Sequence, residues 1–218
     1  MGLNKSKGNM YGFVTHTWNT IKGKCFHDCI YCYMKRWPNL HTIRLDKKEL
    51  NTDLSKKNFI FVGSSCDMFA DNVPKEWIRE TLHHCRKYDN RYLFQSKNPF
   101  NFHEHQFPEN TWLCTTLESN RFYSEIMRYA PPPGIRAMNL GSVRQTKVVT
   151  IEPIMKFDLK WFLDMIRECK PYQVNIGADS GGNNLPEPSG EEVKQLIAEL
   201  KKFTKVYLKD NLKRLYHE

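Results

Sequence analysis

Short apolar segments alternate along this chain with amphipathic segments, and this alternation constrains the fold more than any other feature. Continuous apolar runs such as residues 58–62 are typical of strands buried on both faces. Each run ends in small or polar residues, and a segment with apolar residues at helical spacing follows. Strand, polar loop and helix alternate about six times, which predicts parallel strands joined by crossover helices.

The predicted elements follow from these periods. Strands are expected at 13–18, 58–62, 91–95, 111–116, 147–151, 172–176 and 206–208. Helices are expected at 30–37 (ended by Pro38), 74–85, around 99–105, and after the N-cap candidates Ser119, Asp158 and Ser189. Pro131–Gly134 should end the helix that Ser119 begins, and Ser189 with Glu192 predicts a capping box. We therefore expect an α/β fold, a partial (β/α)6 TIM-like barrel that forms a single domain over residues 1–218, with a polar N-terminal arm at 1–12.

Three cysteines, Cys25, Cys29 and Cys32, lie together in the loop after the first predicted strand. Thiolates are the soft ligands of iron–sulfur clusters and of zinc. A [4Fe–4S] cluster normally takes four cysteines, so three would leave one iron open to a small molecule. The same residues could instead bind zinc with His27 or with a distant fourth ligand. The chain has no second Cys-x-x-Cys pair, which weakens the zinc-ribbon interpretation.

The composition excludes several classes of protein. No apolar run is long enough to span a bilayer, and the N-terminus lacks the apolar core of a signal peptide. The cysteines, seven in all and three of them clustered, indicate a reducing compartment rather than a disulfide scaffold. We therefore expect a cytoplasmic protein with no membrane contact. The net charge of +9 suits a phosphate-rich partner, but it equally suits a solvated basic surface.

Several motifs together resemble a known superfamily. The cysteine motif, with Tyr31 directly before Cys32, resembles the signature of radical SAM proteins. Further matching segments lie at 18–19, 61–69, 94–97, 112–118, 150–153, 176–181 and 207–209. In this order they resemble the spore photoproduct lyase family and, more closely, a related phage-associated radical SAM family of unassigned function. One departure is Asp179, where the phage-associated family usually has glutamate, so the carboxylate has a shorter reach.

The resemblance implies a radical SAM type of barrel with two cofactors, a [4Fe–4S] cluster and S-adenosylmethionine. Cys25, Cys29 and Cys32 would hold the cluster, whose reduced form splits S-adenosylmethionine to a 5′-deoxyadenosyl radical that abstracts hydrogen from a substrate. An electron-donor protein such as flavodoxin or ferredoxin would reduce the cluster, in the host cell cytoplasm if the protein is phage-encoded. The implied cofactor-binding residues are Tyr31, Gly63, Ser64, Ser65, Lys97, Thr116, Glu118 and Glu152.

Two of these residues would bind the methionine carboxylate if they occupy the places of the family's lysine and hydroxyl residue. Lys97 directly follows one predicted strand and Thr116 ends the next, and a cation and a hydroxyl donor suit a carboxylate. The alternative for Lys97 is a surface lysine after an edge turn. Glu152 could bind a ribose hydroxyl or the substrate, or it could form a structural ion pair with Lys209.

Cys66 is the candidate catalytic residue. Spore photoproduct lyases use a cysteine after the second strand as a hydrogen-atom donor, and Cys66 lies one position beyond that place. The alternative is a buried, inert thiol.

The expected substrate is a nucleic acid, a nucleotide or a modified base, and the reaction would be of a lyase, isomerase or base-modifying type, such as a DNA modification. Tyr11, Tyr33 and Trp37 could stack on a base. The cations closest to the cysteines are Lys22, Lys24, Lys35 and Arg36. Two alternatives stay open: a radical SAM enzyme that acts on a small metabolite or peptide, and a zinc-stabilised nucleic-acid-binding module.

Overall fold

The structure, a computed structural model, describes residues 2–37 and 40–216. The strands are β1 (Asn4–Lys5), β2 (His16–Trp18), β3 (Ile21–Lys22), β4 (Arg44–Leu45), β5 (Phe59–Val62), β6 (Arg91–Gln95), β7 (Thr111–Thr116), β8 (Thr146–Ile151), β9 (Gln173–Ile176) and β10 (Lys205–Leu208). The α-helices are α1 (Lys75–Cys85), α2 (Ser124–Met127), α3 (Pro133–Ser142), α4 (Leu159–Cys169) and α5 (Gly190–Leu200). Short 3-10 helices lie at Tyr33–Arg36, Glu49–Asn51, Pro99–Glu104 and Asp210–Arg214.

The main sheet has eight strands in the order β1-β2-β5-β6-β7-β8-β9-β10. All neighbours pair in parallel except β1, which is antiparallel to β2. The prediction of a parallel α/β fold is therefore confirmed, and the sheet has one strand, β1, beyond the seven predicted segments. Within the described residues no pairing joins β1 to β10, so strand pairing does not close the sheet into a barrel. A separate ribbon of β3 and β4 was not predicted from the sequence.

The central strands are apolar throughout because both faces of the sheet are covered. In β5, Ile60 and Val62 pack into the large core that the helices complete. Phe59 and Phe61 point to the opposite face, where they pack in a second cluster. The cover on that side comes from the N-terminal segment, which contributes Tyr11. This two-sided burial explains the uninterrupted apolar run that predicts β5.

The N-terminal segment is more ordered than the predicted polar arm. Asn9 donates a hydrogen bond from Nδ2 to Glu152 Oε1 (2.8 Å), just beyond β8. The Nζ atom of Lys209 lies 4.9 Å from the centroid of the Tyr11 ring. These contacts reach from the start of β2 to the far strands β8 and β10, so the segment crosses the sheet face opposite the helices.

The chain between β7 and β8 differs from the prediction. Ser119 caps no helix and instead donates its hydroxyl to the Lys156 carbonyl (2.6 Å). Only the short α2 forms before the proline run, and α3 begins inside that run, at Pro133. Proline is compatible with the first helical turn because the amide hydrogens there have no partner within the helix. The run that was expected to end a helix therefore starts one.

The other helix predictions have mixed outcomes. The capping box of Ser189 and Glu192 is present at the start of α5. Asp158 precedes α4 as predicted, but its carboxylate accepts hydrogen bonds from Arg121 and does not cap the helix. The segment predicted as helix 30–37 is the 3-10 helix Tyr33–Arg36, and Pro38 lies outside the described residues.

None of the helices in the described part of the chain is long and apolar enough to cross a membrane.

Candidate functional site

A cavity of about 920 Å³ opens at the carboxyl ends of the parallel strands, where sheets of this kind bind ligands. The loops after β5, β6, β8, β9 and β10 contribute to its lining, as does Thr116 at the end of β7. Eleven of the predicted site residues line it: Cys25, Cys29, Tyr31, Cys32, Gly63, Ser64, Ser65, Cys66, Lys97, Thr116 and Glu152. The exception among the predicted site residues is Glu118.

The cysteine loop (residues 25–32) docks on α2. Ile30 donates its backbone N–H to the Ile126 carbonyl at 3.0 Å. The Cys29 thiol lies 3.5 Å from the carbonyl of Met127, to which it donates. Because α2 follows the loop after β7, this docking places the cysteines against strand ends that are distant in sequence.

The ligand geometry bears on the choice between zinc and a cluster. Within the described residues, no group of three or more His, Cys, Asp or Glu side chains converges well enough to hold one metal ion. A zinc site needs four ligands around one point, whereas a cubane cluster takes each thiolate on a different iron. His27, the suggested zinc ligand, has its Nε2 atom 2.9 Å from Asp67 Oδ2. The three cysteines line the same cavity, and their thiolates are the donors that a cluster would take.

Cys66 is buried beside Cys25. The hydrogen bond between the two thiols lowers the pKa of Cys25 and raises the pKa of Cys66. Cys25 thus becomes the better thiolate, which is the form that binds metals. Cys66 keeps its proton, as both a hydrogen donor and an inert buried thiol would, so its catalytic role stays a prediction.

Lys97 does not have the position of a surface lysine. It is half-buried at the end of β6, and its Nζ atom lies over the Tyr31 ring, 5.3 Å from the centroid. Burial alone would lower the pKa of its ammonium group, but the charges of Cys29 and Glu118 raise it above the ordinary value. Its ammonium forms no ion pair with any residue that the structure describes. Lys97 therefore presents an unpaired charge to the cavity.

Thr116 lies beside Lys97 at the end of β7. Its Oγ1 atom accepts a hydrogen bond from Gln95 Nε2 at 3.1 Å. The Oε1 atom of Gln95 in turn accepts from the hydroxyl of Tyr11 at 2.8 Å. Accepting leaves the Thr116 hydroxyl hydrogen free for a ligand oxygen.

Glu118 is placed differently from the prediction of a cofactor ligand. It is fully buried outside the cavity lining, and the Tyr31 hydroxyl donates to it. Arg136, also fully buried, brings Nη2 to 2.8 Å from Glu118 Oε2. Burial would raise the pKa of Glu118, but Arg136 and Lys97 hold it below its usual range. Glu118 is thus an ionised residue behind the cavity wall.

Arg136 is a charged residue that the sequence analysis missed. It lies on α3, the helix that was not predicted, and its Nη1 atom donates to the Thr116 carbonyl. The available signal was a lone arginine in the segment 133–142, which is otherwise largely apolar. A charge at such a position indicates a buried partner, here Glu118.

The loop after β5 has a backbone that requires glycine. Gly63 has φ +81°, a left-handed conformation that glycine adopts without steric cost. Asn19 then orders the following residues, because its Oδ1 atom accepts from Ser64 Oγ (3.2 Å) and from Ser65 N (3.0 Å). The predicted close approach of a ligand at Gly63 and Ser64 thus coincides with a rigid turn.

Asp67 lies in the matching segment 61–69, and the sequence assigns it no role. Its Oδ2 atom accepts from His27 Nε2 (2.9 Å), Ser96 Oγ (3.0 Å) and the Lys97 backbone N–H (2.8 Å). Burial would raise the pKa of its carboxyl, but His27 and the backbone donors hold it below the ordinary value. Asp67 therefore connects the cysteine loop with the end of β6.

Glu152 forms the predicted ion pair and also lines the cavity. Its Oε2 atom lies 2.6 Å from Lys209 Nζ, so the ion pair is present. Its Oε1 atom accepts from Asn9 (2.8 Å) and Asn211 (3.0 Å), and the residue still lines the cavity. By contrast, Asp179 uses its carboxylate to close its own loop, since both oxygens accept from Asn183.

Aromatic residues at the cavity mouth differ in exposure. Tyr33 and Trp37 are 47% and 54% exposed, and their rings meet edge to face at 6.0 Å. Tyr11 also lines the cavity, but it is only 5% exposed and packs in the second core cluster. Stacking by Tyr11 therefore stays a prediction.

The cations that were predicted to contact a partner also differ in position. Lys24, Lys35 and Arg36 line the cavity. Lys22 is 17% exposed, pairs with Asp46 and Glu49 at 2.8 and 2.7 Å, and lies outside the cavity lining. Lys22 thus forms structural ion pairs, and its contact with a partner stays a prediction.

Comparisons with known proteins were made at three levels. No protein-family model and no curated protein matches the sequence. Solved structures do match: a spore photoproduct lyase variant with bound AdoMet and dinucleoside spore photoproduct aligns with a TM-score of 0.66 at 10% identity, over 95% of this chain and 80% of that one. A second variant of that lyase aligns with a TM-score of 0.64 at 11% identity, over 92% of this chain and 78% of that one. The chain shares the fold of these lyase structures. At this identity the likeness establishes the fold and not the activity.

Proposed function

We propose that this chain is a radical SAM enzyme that acts on a nucleic acid, a nucleotide or a modified base. One observation carries the proposal: the three cysteines line the same cavity as Lys97 and Thr116, in a fold shared with a lyase structure that contains AdoMet. These residues come from the cysteine loop, from the loop after β6 and from the end of β7, three segments that are well separated in sequence.

The residues suit both cofactors. A [4Fe–4S] cluster bound by the cysteine loop would supply the electron that cleaves S-adenosylmethionine and generates the hydrogen-abstracting radical. Lys97 and Thr116 would bind the methionine carboxylate through an ammonium and a hydroxyl hydrogen bond. The turn at Gly63 would let the ligand contact the backbone closely. The walls of the cavity would keep water from the reaction.

The substrate class is supported by the mouth of the cavity. Tyr33 and Trp37 expose ring faces there, beside Lys24, Lys35 and Arg36. Exposed aromatic rings stack on bases, and neighbouring cations contact phosphates. One of the lyase structures holds a dinucleoside spore photoproduct, which is a ligand of this chemical class. An acidic electron-transfer protein such as flavodoxin or ferredoxin would reduce the cluster.

The test of the cofactor is anaerobic reconstitution with iron and sulfide. The parent protein should bind about four irons and absorb near 400 nm, as thiolate-bound clusters do. Cys29→Ala should abolish both signals, whereas Cys85→Ala, a buried cysteine of α1 outside the cavity lining, should not. A full cluster in Cys29→Ala would overturn the assignment, and binding of one zinc instead of iron would favour the zinc-stabilised module.

The test of the reaction is the release of 5′-deoxyadenosine from S-adenosylmethionine under reducing, anaerobic conditions. Candidate DNA, RNA and free nucleotides are added in turn. Stimulation by one nucleic-acid class supports the substrate proposal. Stimulation only by non-nucleotide metabolites or peptides would replace it with the small-molecule alternative.

A further inference from the structure

Two carboxylates with little or no solvent exposure contact side chains of the cysteine loop. Asp67 follows β5, and Glu118 follows β7. Both have a lowered pKa and are ionised at neutral pH. A buried charge is costly unless several donors surround it, so each is expected to order the groups that it binds.

Asp67 connects one residue of the loop to the end of β6. On the loop side, His27 brings Nε2 to 2.9 Å from Asp67 Oδ2, and His27 is 2% exposed. On the strand side, the backbone N–H of Lys97 lies 2.8 Å from the same oxygen. One carboxylate oxygen thus sets the distance between the loop and the backbone of Lys97.

Glu118 makes an equivalent connection to the end of β7. On the loop side, it accepts from the hydroxyl of Tyr31, the residue before Cys32. On the strand side, its ion pair with Arg136 (2.8 Å) leads to the Thr116 carbonyl, to which Arg136 also donates. The chain of contacts therefore ends at Thr116.

The two connections are arranged in the same way, although they share no residue. Each starts at an aromatic or imidazole side chain of the cysteine loop and ends at the main chain of one proposed carboxylate ligand. Hydrogen bonds to charged groups are short and strong, so both connections resist displacement. Reacting groups must be held to within about 1 Å for efficient catalysis.

We propose that Asp67 and Glu118 are positioning residues, which together fix the separation between the cysteine loop and the site of the methionine carboxylate. This inference rests on the proposed function, because it concerns the distance between the two proposed cofactors. Neither carboxylate needs to touch a cofactor for this role. Glu118 is therefore assigned a positioning role in place of the cofactor contact that the sequence predicts.

The test uses isosteric amides, Asp67→Asn and Glu118→Gln, which remove the charge and keep the shape. Glu49→Gln is the matched control, since Glu49 is 4% exposed, pairs with Lys22 at 2.7 Å and lies outside the cavity lining. Each reconstituted protein is analysed for iron content, for S-adenosylmethionine affinity by anaerobic calorimetry, and for the electron paramagnetic resonance spectrum of the reduced cluster with and without S-adenosylmethionine.

We expect the two amide variants to change S-adenosylmethionine binding without changing iron content. Both variants should keep the parent iron content, bind S-adenosylmethionine at least tenfold more weakly, and lose most of the spectral change that the ligand causes. The control should match the parent in all three. Should either amide variant fail to fold, Tyr31→Phe removes only the hydroxyl donor of Glu118 and should show a smaller loss of affinity with unchanged iron.

Other outcomes overturn the inference. Unchanged affinity and spectra in the variants would show that the carboxylates do not set this distance. Loss of iron in the variants would assign them to cluster binding itself, and an equal loss in Glu49→Gln would make the effect one of general stability. A parent protein that binds no cluster or no S-adenosylmethionine would contradict the proposed function instead.

Discussion

The charge of Lys97 is the residue-scale feature that most clearly suits a ligand. A half-buried ammonium has lost part of its hydration, and within the described residues no carboxylate is in ion-pair contact with it, although the charges of Cys29 and Glu118 raise its pKa. The Tyr31 ring, 5.3 Å away, offers a weak cation–π contact. A residue kept charged in a cavity at such a cost is typical of a functional site.

Replacing this ammonium by an isosteric alkyl chain should weaken binding of S-adenosylmethionine. We expect Lys97→Met to cost about 1.5–3 kcal/mol of binding free energy, the usual value of a hydrogen bond to a charged group. Anaerobic calorimetry measures the affinity, and iron content should stay at the parent level. Lys75→Met, in a surface ion pair with Glu104, is the control. Unaltered affinity in Lys97→Met would place Lys97 outside the binding site.

A second residue-scale prediction concerns the turn at Gly63. Its φ of +81° costs a residue with a side chain about 1–2 kcal/mol. A Cβ atom there would also lie 3.2 Å from Met68 Sδ. Gly63→Ala should therefore lower the free energy of unfolding by about 1–2 kcal/mol, measured by urea denaturation, whereas Gly134→Ala, in open space on α3, should not destabilise. Equal stability of Gly63→Ala and the parent would contradict the strain argument.

At the scale of elements, the ion pair of Glu118 and Arg136 joins the end of β7 to α3. Both side chains are fully buried, so the loss of one leaves the other charge without compensation. This pair explains why α3 packs where it does, although its sequence offers few long apolar side chains. Glu118 of this pair also accepts a hydrogen bond from the Tyr31 hydroxyl, which connects the pair to the cysteine loop.

Removal of the arginine alone should be strongly destabilising. We expect Arg136→Met to reduce the free energy of unfolding by about 3–5 kcal/mol, as for other broken buried pairs. The double variant Arg136→Met with Glu118→Leu removes both charges and should recover part of this loss. Urea denaturation of the cluster-free proteins measures both. A double variant that is less stable than Arg136→Met would mean that the charges do not act as a pair.

The same pair predicts how stability depends on pH. The pKa of Glu118 is lowered in the folded protein, so the unfolded chain binds more protons and stability rises with pH. The contribution is complete above the unfolded glutamate value of about 4.3 and is lost as pH falls through the lower folded value. Glu118→Gln should flatten the acid limb of a plot of unfolding free energy against pH. An acid limb identical to that of the parent would show that Glu118 is not ionised in the fold.

At the scale of the whole molecule, the net charge of +9 favours association with polyanions. The cavity mouth concentrates part of this charge, since Lys24, Lys35 and Arg36 lie beside Tyr33 and Trp37. Some of these cations form ion pairs within the chain, such as Lys35 with Asp28 at 3.0 Å. Attraction of a polyanionic partner therefore depends on the charges at the cavity mouth and does not follow from the net charge of the chain.

Binding to nucleic acid should weaken steeply as salt rises, because each neutralised phosphate releases counterions. Neutralising Lys35→Gln and Arg36→Gln together should reduce the slope of log K against log salt by about two units, without a change in iron content. Lys56→Gln with Lys57→Gln, two exposed residues before β5 at the opposite ends of the strands, is the matched control. Anaerobic titrations with single- and double-stranded DNA and RNA measure the slopes. Absence of salt-dependent affinity for all of them would exclude a polymeric substrate and leave a free nucleotide.

Features that depend on neighbours along the chain could be predicted from the sequence. The apolar run of β5 and the capping box of Ser189 each need only a few adjacent residues, and both are present. The strand ends were located to within a few residues, and since parallel strands place these ends at one edge, the shared cavity followed. The cysteine motif could also be recognised from the sequence, because Cys25, Cys29 and Cys32 are close together along the chain.

Features that depend on distant parts of the chain were decided by the tertiary structure. Asp67 meets His27, which lies 40 residues earlier, and Lys22 meets Asp46 through a ribbon that no periodicity indicated. Glu118 is buried in an ion pair because α3 supplies Arg136. Whether a charged side chain faces a ligand, a partner or water is set by the groups packed around it, since its desolvation must be balanced by specific donors or acceptors. Local sequence determines where a charge lies along an element, and only the assembled fold determines what it meets.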